Sequence, residues 1–342
     1  MNAMSKYSFK RLLNAGWLRF PGLSVCAVIA LITTFIADHY GGPTLLYALL
    51  FGMAFSFLAE EKRCLAGIDF ASRTVLRLGV ALLGVRITLE EVAALGIGPL
   101  LIVVSGVILT IVMGALLARM LGLGREMGLL TGGAVAICGA SAVLALSAVM
   151  PRNAHQERNT IMTVVGVTAL STLAMIVYPL LVSVLGWADN EAGIFLGGTI
   201  HDVAQVVGAG YMISDDAGDV ATFVKLLRVA MLVPAVMVFI FLFRGSDQQA
   251  RKTRLPVLPS FLVAFVIIVL INSLGWIPTL VTGAFTELSR WCMVAAIAAL
   301  GIKTSFKDLA VVGWKPVLLM FAETLFLLLF VMTCIHFGLG GL

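Results

Sequence analysis

Apolar stretches of bilayer length follow one another almost without a break from Leu23 to Phe337. A helix needs roughly 20 residues to cross about 30 Å of hydrocarbon. Such stretches fall near 21–37, 44–60, 69–85, 99–120, 128–149, 159–185, 193–213, 220–243, 258–275, 283–301 and 315–337. Lipid offers no partner to an exposed backbone amide, so these spans are predicted as α-helices. A membrane β-barrel would show alternating segments of about 10 residues, and nothing here alternates. The expectation is an all-α membrane protein, one polytopic transmembrane domain over 1–342 with about eleven transmembrane segments. Only 12% of residues are charged, about half the share in a soluble domain, which leaves no room for a soluble module.

Charge placement then orients the chain. The formal net charge is +5, but the basic residues lie mainly in short loops beside apolar spans. No Lys/Arg stripe is interleaved with aromatics, so the bilayer, not nucleic acid, is the expected partner. Lys6, Lys10, Arg11 and Arg19 precede the run Leu23 to Ile36, and Asp38-His39-Tyr40 follows it instead of a small-residue cleavage site. This reads as an uncleaved first helix with its N-terminus in the cytoplasm, in the inner membrane. Loops at 60–68, 119–127, 244–256 and 302–315 then fall inside, and Asp215 to Asp219 outside. If every segment crosses, the basic stretch Arg152 to Arg158 falls outside and the acidic 187–192 loop inside, against the positive-inside rule. Both misfits vanish if 128–149 and 193–213 each enter and leave on one side, as interrupted or re-entrant helices.

A repeat points towards transport. Residues 81–103, ALLGVRITLEEVAALGIGPLLIV, align without a gap to 298–320, AALGIKTSFKDLAVVGWKPVLLM, at an offset of 298 − 81 = 217. Ala81, Leu83, Gly84, Ala93, Gly96, Pro99 and Leu101 meet identical residues, and Ser72-Arg73 pairs with Ser289-Arg290. The repeat copies run approximately over 43–120 and 260–337. The third segment runs outward and the tenth inward, so the copies are expected to be inverted, a common transporter construction.

Polar groups mark where chemistry would sit. The fifth segment holds Thr131-Gly132-Gly133 and Cys138-Gly139-Ala140-Ser141; the seventh holds Gly197-Gly198-Thr199-Ile200-His201-Asp202, then Gln205. A helix broken in mid-membrane exposes free amides at one new end and carbonyls at the other, and the amide end suits an anion. Ser141 and Thr199 would add hydroxyl donors. The competing reading is close packing of helices through small residues. His201, Asp202 and Gln205 lie inside an apolar stretch, where a charge costs about 2.5–3.5 kcal/mol even on a lenient scale. His201 and Gln205 share a face if the helix continues; a purely structural polar tie is the alternative. Lys225 and Arg228 share a helical face before Pro234. They would attract an oxyanion or else snorkel to the interface. Arg73 and Arg77 read as interface anchors, and Glu323 as a partner for a basic residue. Cys26, Cys64, Cys138, Cys292 and Cys334 show no metal or disulfide spacing. HExxH, GxSxG and GxxxxGK[ST] are absent, so neither enzyme nor cofactor is expected. Cys138 with His201 is the one pairing a membrane enzyme would use, and a buried Cys is usually inert.

Taken together, AICGASAV at 136–143, GGTIHDVAQVVGAG at 197–210, KLLRVAMLVP at 225–234 and LRLGVALLGVR at 76–86 resemble the YeiH-type family of bacterial membrane proteins, labelled sulfate exporters. The resemblance spans about residues 20–337. It implies membership of the cation/proton antiporter and bile-acid symporter superfamily, with inverted repeats and discontinuous helices crossing near the middle. It maps the family's Cys-Gly-Ala-Ser onto Cys138 to Ser141, its Ile-His and Gln onto Ile200, His201 and Gln205, and its Lys and Arg onto Lys225 and Arg228. The expected function is a secondary transporter for a small anion, a sulfate-like oxyanion or small organic acid. The anion would be held by Cys138, Gly139, Ala140, Ser141, Thr199, His201, Gln205, Lys225 and Arg228. Asp202 and His201 would couple H⁺ or Na⁺. A Na⁺/H⁺ antiporter using Asp202, and a membrane enzyme or channel, stand as alternatives; assembly as a homo-oligomer is open.

Overall fold

The computed structural model describes residues 3–151, 156–243, 258–304 and 313–341, with side chains from Trp17 to Gly340 within those ranges. The expected loop at 244–256, most of those at 152–158 and 302–315, and the repeat position Ala310 lie outside the described residues. The described chain is helical. In order come α1 (Ala3–Tyr40), α2 (Thr44–Ala54), α3 (Lys62–Phe70), α4 (Leu76–Leu83), α5 (Leu89–Ala94), α6 (Gly98–Met120), α7 (Arg125–Ala136) and α8 (Ala140–Ser147). There follow α9 (Gln156–Leu185), α10 (Asp189–Thr199), α11 (Val203–Tyr211), α12 (Asp215–Ala230), α13 (Leu232–Leu242), α14 (Ser260–Ser273), α15 (Thr279–Lys303) and α16 (Trp314–His336). Among the described residues, six helices are long and apolar enough to cross a membrane: Trp17–Tyr40, Gly98–Met120, Gln156–Leu185, Asp215–Leu242, Thr279–Lys303 and Trp314–His336. α2 and α14 are apolar but shorter.

These helices are apolar all round, as a lipid-facing helix requires. In α6, Ile102, Val107, Gly114 and Ala118 are buried, while Leu101, Ile108, Val112 and Leu116 on the opposite stripe are exposed. The fourth span, Asp215–Leu242, is interrupted at Met231, three residues before Pro234, whose missing N–H leaves a carbonyl of the preceding turn without its donor.

Contacts divide the chain into two compact units, one of residues 1–86 with 264–304, the other of 87–263 with 305–342. In the first, α1 and α3 cross at Gly22 and Gly67; a Cβ on Gly22 would fall 2.0 Å from the Cys64 carbonyl oxygen, so only glycine fits. α3 continues into α4 through a π-helical turn at Ala71–Val75, and Ser289 Oγ on α15 donates to the Gly79 carbonyl at 2.7 Å.

In the second unit both interrupted segments fold back on themselves. A Cβ on Gly133 of α7 would lie 2.3 Å from Leu146 Cδ1 of α8. That contact needs α8 to run back along α7, because a straight continuation would set the two about a dozen residues apart at 1.5 Å each. α10 lies parallel to α12, with Gly193 against Ala217 and Val220, and Gly197 against Ala221 and Val224. α11 then returns, so that Gly210 and Tyr211 pack on Gly218 at the start of α12. Residues 125–147 and 189–211 are therefore two helical hairpins, with tips at 137–139 and 200–202.

The hairpins enter from opposite ends of this unit. Glu91, Asp189, Asp216 and Asp219 line one cavity of about 500 Å³, which puts the start of the second hairpin at an acidic end. α6 leaves that end and delivers the chain to α7 at the other, where Arg119 and Arg125 lie and Lys315 Nζ donates to the Leu121 carbonyl at 3.2 Å.

Candidate functional site

The tips meet. At the first, α7 stops because Ile137 (φ −112, ψ −84) and Gly139 (φ 60, ψ −130) leave helical space. Gly139 occupies a region closed to residues with a side chain, although a Cβ there would touch only His201, at 3.8 Å. The requirement is conformational, not spatial. At the second tip α10 ends with Ile200 extended (φ −64, ψ 140), and Asp202 caps α11: its Oδ1 accepts from Ala204 N–H at 2.9 Å. Asp202 N–H donates to Ser171 Oγ on α9 at 3.0 Å.

Two helix C-termini thus end inside the protein with carbonyls that have no intrahelical donor. Lys225 and Arg228 of α12 answer them. Lys225 Nζ donates to Ile137 O (2.7 Å) and Ile200 O (2.9 Å). Arg228 donates from Nε to Ala136 O (2.9 Å), from one terminal nitrogen to Val135 O (2.7 Å), and from the other to Gly197 O (3.1 Å) and Ile200 O (3.0 Å). Each cation bridges both hairpins and also opposes their negative C-poles. The side chains are 0% and 1% exposed, so neither snorkels. The sequence-based expectation that they grip an oxyanion directly needs correcting: two of three Lys donors and four of five Arg donors go to main-chain carbonyls.

What stays open is the amide pole of α8. The helix begins at Ala140, so the N–H groups of Ala140 and Ser141 have no carbonyl one helical turn back, while Ala142 N–H faces the Cys138 sulfur and Val143 N–H bonds Gly139 O at 3.1 Å. Ala140 is half-buried and Ser141 exposed, so this pole is accessible. Cys138 is buried beside it. Thr199, expected from sequence to offer a free hydroxyl donor, turns its hydroxyl back to Phe195 O at 2.6 Å. His201 and Gln205 do not share a helical face, because α11 starts only at Val203. His201 Nε2 lies 3.0 Å from Thr324 Oγ1, and Gln205 Nε2 donates to Thr172 Oγ1 at 2.8 Å. His201 Nδ1 and Gln205 Oε1 are buried with no hydrogen-bond partner among the described residues.

Among the described residues Glu323 meets no basic side chain; it meets Thr131 Oγ1 at 2.7 Å. Sequence reasoning passed over Ser171, Thr172 and Thr324 as members of this network. Their signal was adjacency of polar residues within apolar runs, Ser171-Thr172 and Glu323-Thr324, on the stripes that α9 and α16 bury.

Comparison with known proteins agrees with a membrane assignment. A family model described as "Conserved hypothetical protein 698" matches residues 21–320. A UPF0324 membrane protein of Chlorobaculum tepidum is 53% identical over 96% of this chain and 93% of its own length. The UPF0324 membrane protein TauZ of Paracoccus denitrificans is 49% identical over 93% of this chain and 95% of its own. Among solved structures, the sodium proton antiporter MjNhaP1 from Methanocaldococcus jannaschii matches at 13% identity over 94% of this chain and 98% of that one, with a TM-score of 0.27, a score at which nothing about this chain follows from the likeness.

Proposed function

The chain belongs to the UPF0324 family of membrane proteins, and from that premise we propose that it is a secondary transporter carrying a small anion across the inner membrane. The observation that carries this reading is the allocation of the broken-helix poles. A Na⁺ site built at interrupted helices draws on bare carbonyls. Here Val135, Ala136, Ile137, Gly197 and Ile200 already accept from Lys225 and Arg228. At the first tip the groups without a main-chain partner include the amides of Ala140 and Ser141, at a pole with no side-chain cap, and bare amides bind oxyanions or carboxylates.

Charge balance favours the same ligand. Arg228 stays charged in any protein setting and offsets the two C-poles, each worth roughly −0.5. Lys225 lies within electrostatic reach of Asp202. The N-pole of α8, roughly +0.5, has no side-chain cap and favours an anion. Asp202 is a poor cation ligand, because Oδ1 already caps α11 beside that cationic pair.

Eleven membrane segments, two of them re-entrant, and an inverted repeat complete the proposal. Its support is the helix boundaries: at the offset of 217, α2 (44–54) maps to 261–271 beside α14 (260–273), and α6 (98–120) maps to 315–337 beside α16 (314–336). The decisive experiment uses purified protein in liposomes with labelled sulfate, sulfite and acetate. Saturable uptake or exchange of at least one is expected. Inertness to all three, with Na⁺ binding lost in Asp202→Asn, would replace this reading with the cation antiporter.

A further inference from the structure

Glu323 and Thr324 are neighbours on the buried stripe of α16, and each reaches a different hairpin. Glu323 Oε1 is 2.7 Å from Thr131 Oγ1 on α7; Thr324 Oγ1 is 3.0 Å from His201 Nε2 at the second tip. Glu323 is 0% exposed, and its Oε2 has no hydrogen-bond partner among the described residues. The carboxyl fits because α6 offers Gly114 there, where a Cβ would lie 2.5 Å from Oε1.

No described cation answers this carboxyl. Arg119 lies a turn beyond Gly114 on α6, and Arg125 and Glu126 lie more than a turn before Thr131 on α7. α9 packs Gly166 on Met320 and carries Glu157 and Arg158 in its first turn and Tyr178 beyond. α10 packs Gly198 on Val331 and carries Asp189 and Glu191 in its first turn. Lys315 and His336 sit at the ends of α16 itself.

The hydroxyls allow the carboxyl two states. As a neutral acid, Glu323 donates to Thr131, whose own hydrogen goes to Met127 O at 3.0 Å. As a carboxylate, it takes the hydrogen of Thr131 in place of Met127 O and leaves Oε2 without a donor. Thr324 donates to Met320 O at 2.7 Å and meets His201 Nε2 at 3.0 Å, which links the buried carboxyl's neighbour to the second tip.

We propose that Glu323 is the proton-coupling site of the carrier. In each cycle its O–H bond breaks, one proton passes to water on one side, and one returns from water on the other. This rests on the transporter reading and replaces Asp202 as the coupling residue. The first test needs no solute: infrared difference spectra of reconstituted wild type between H₂O and D₂O. A carboxylic-acid C=O band that shifts on deuteration and is lost in Glu323→Gln is expected, with a displaced band in Thr131→Val. A band absent from wild type, unchanged in Glu323→Gln, or unable to exchange overturns the proposal. In liposomes, Glu323→Gln should keep sulfite or sulfate exchange near wild type and lose, at least tenfold, the accumulation driven by a pH gradient. Undiminished accumulation also overturns it. A wild type inert to every anion would sink the anion reading alone, since the infrared result judges Glu323 independently.

Discussion

The guanidinium of Arg228 shows why a charge legible in the sequence can be misassigned. Its spacing from Lys225 and its place in an apolar run marked both as site residues, but nothing in a chain says whether a cation faces solute or main chain. The partners, Val135, Ala136, Gly197 and Ile200, are backbone atoms brought close only by folding. This distinction predicts the outcome of Arg228→Lys. An ammonium is a point charge and cannot span carbonyls on two hairpins as the planar fork does. At least two buried carbonyls lose their donors, at a cost of roughly 2–4 kcal/mol. Thermal unfolding in detergent should show a melting temperature lower by several degrees, with anion affinity falling only as far as the tips loosen. A variant that melts with wild type while binding is abolished would mean that Arg228 touches the anion after all.

Among the elements, the interruptions were the most legible feature, because glycine runs and the misplaced charges around 128–149 and 193–213 both announced them. The direction taken after each break was not, since it depends on packing such as Gly133 on Leu146 and Gly210 on Gly218. Nor was the asymmetry of the two amide poles. α11 carries its own cap in Asp202, whereas α8 starts after Gly139 with no side-chain cap. The open pole can be tested at a single atom. Proline is tolerated in the first helical position and lacks only the N–H, so Ala140→Pro should preserve α8 and delete one donor. A hydrogen bond to a charged group contributes about 1.5–3 kcal/mol, so the affinity for sulfate or sulfite should fall at least about tenfold while the melting temperature holds. Unchanged affinity in a folded Ala140→Pro protein would move the anion away from this pole.

At the scale of the whole molecule, the hairpins repair the charge pattern that uninterrupted crossings violate. If 189–211 is re-entrant, Asn190 at its start and Asp216 after its end share one side of the membrane, and both line the acidic cavity. Acidic loops are tolerated outside, whereas Lys and Arg concentrate in the cytoplasm. On the proposed orientation, the end with Glu91, Asp189, Asp216 and Asp219 faces outward and the end with Arg119, Arg125 and Lys315 faces the cytoplasm. The five native cysteines are all buried, so an introduced thiol is read against a low background. Asn190→Cys and Asp216→Cys replace exposed residues, and Gly124 has open space around it for Gly124→Cys. In intact cells a membrane-impermeant maleimide should modify the first two variants and reach Gly124→Cys only after permeabilisation. Labelling of Asn190→Cys and Asp216→Cys from opposite sides would make the segment a true crossing. The two C-poles could then not meet at Lys225 as they do here, and the amide pole of α8 would lose the setting that makes it an anion site.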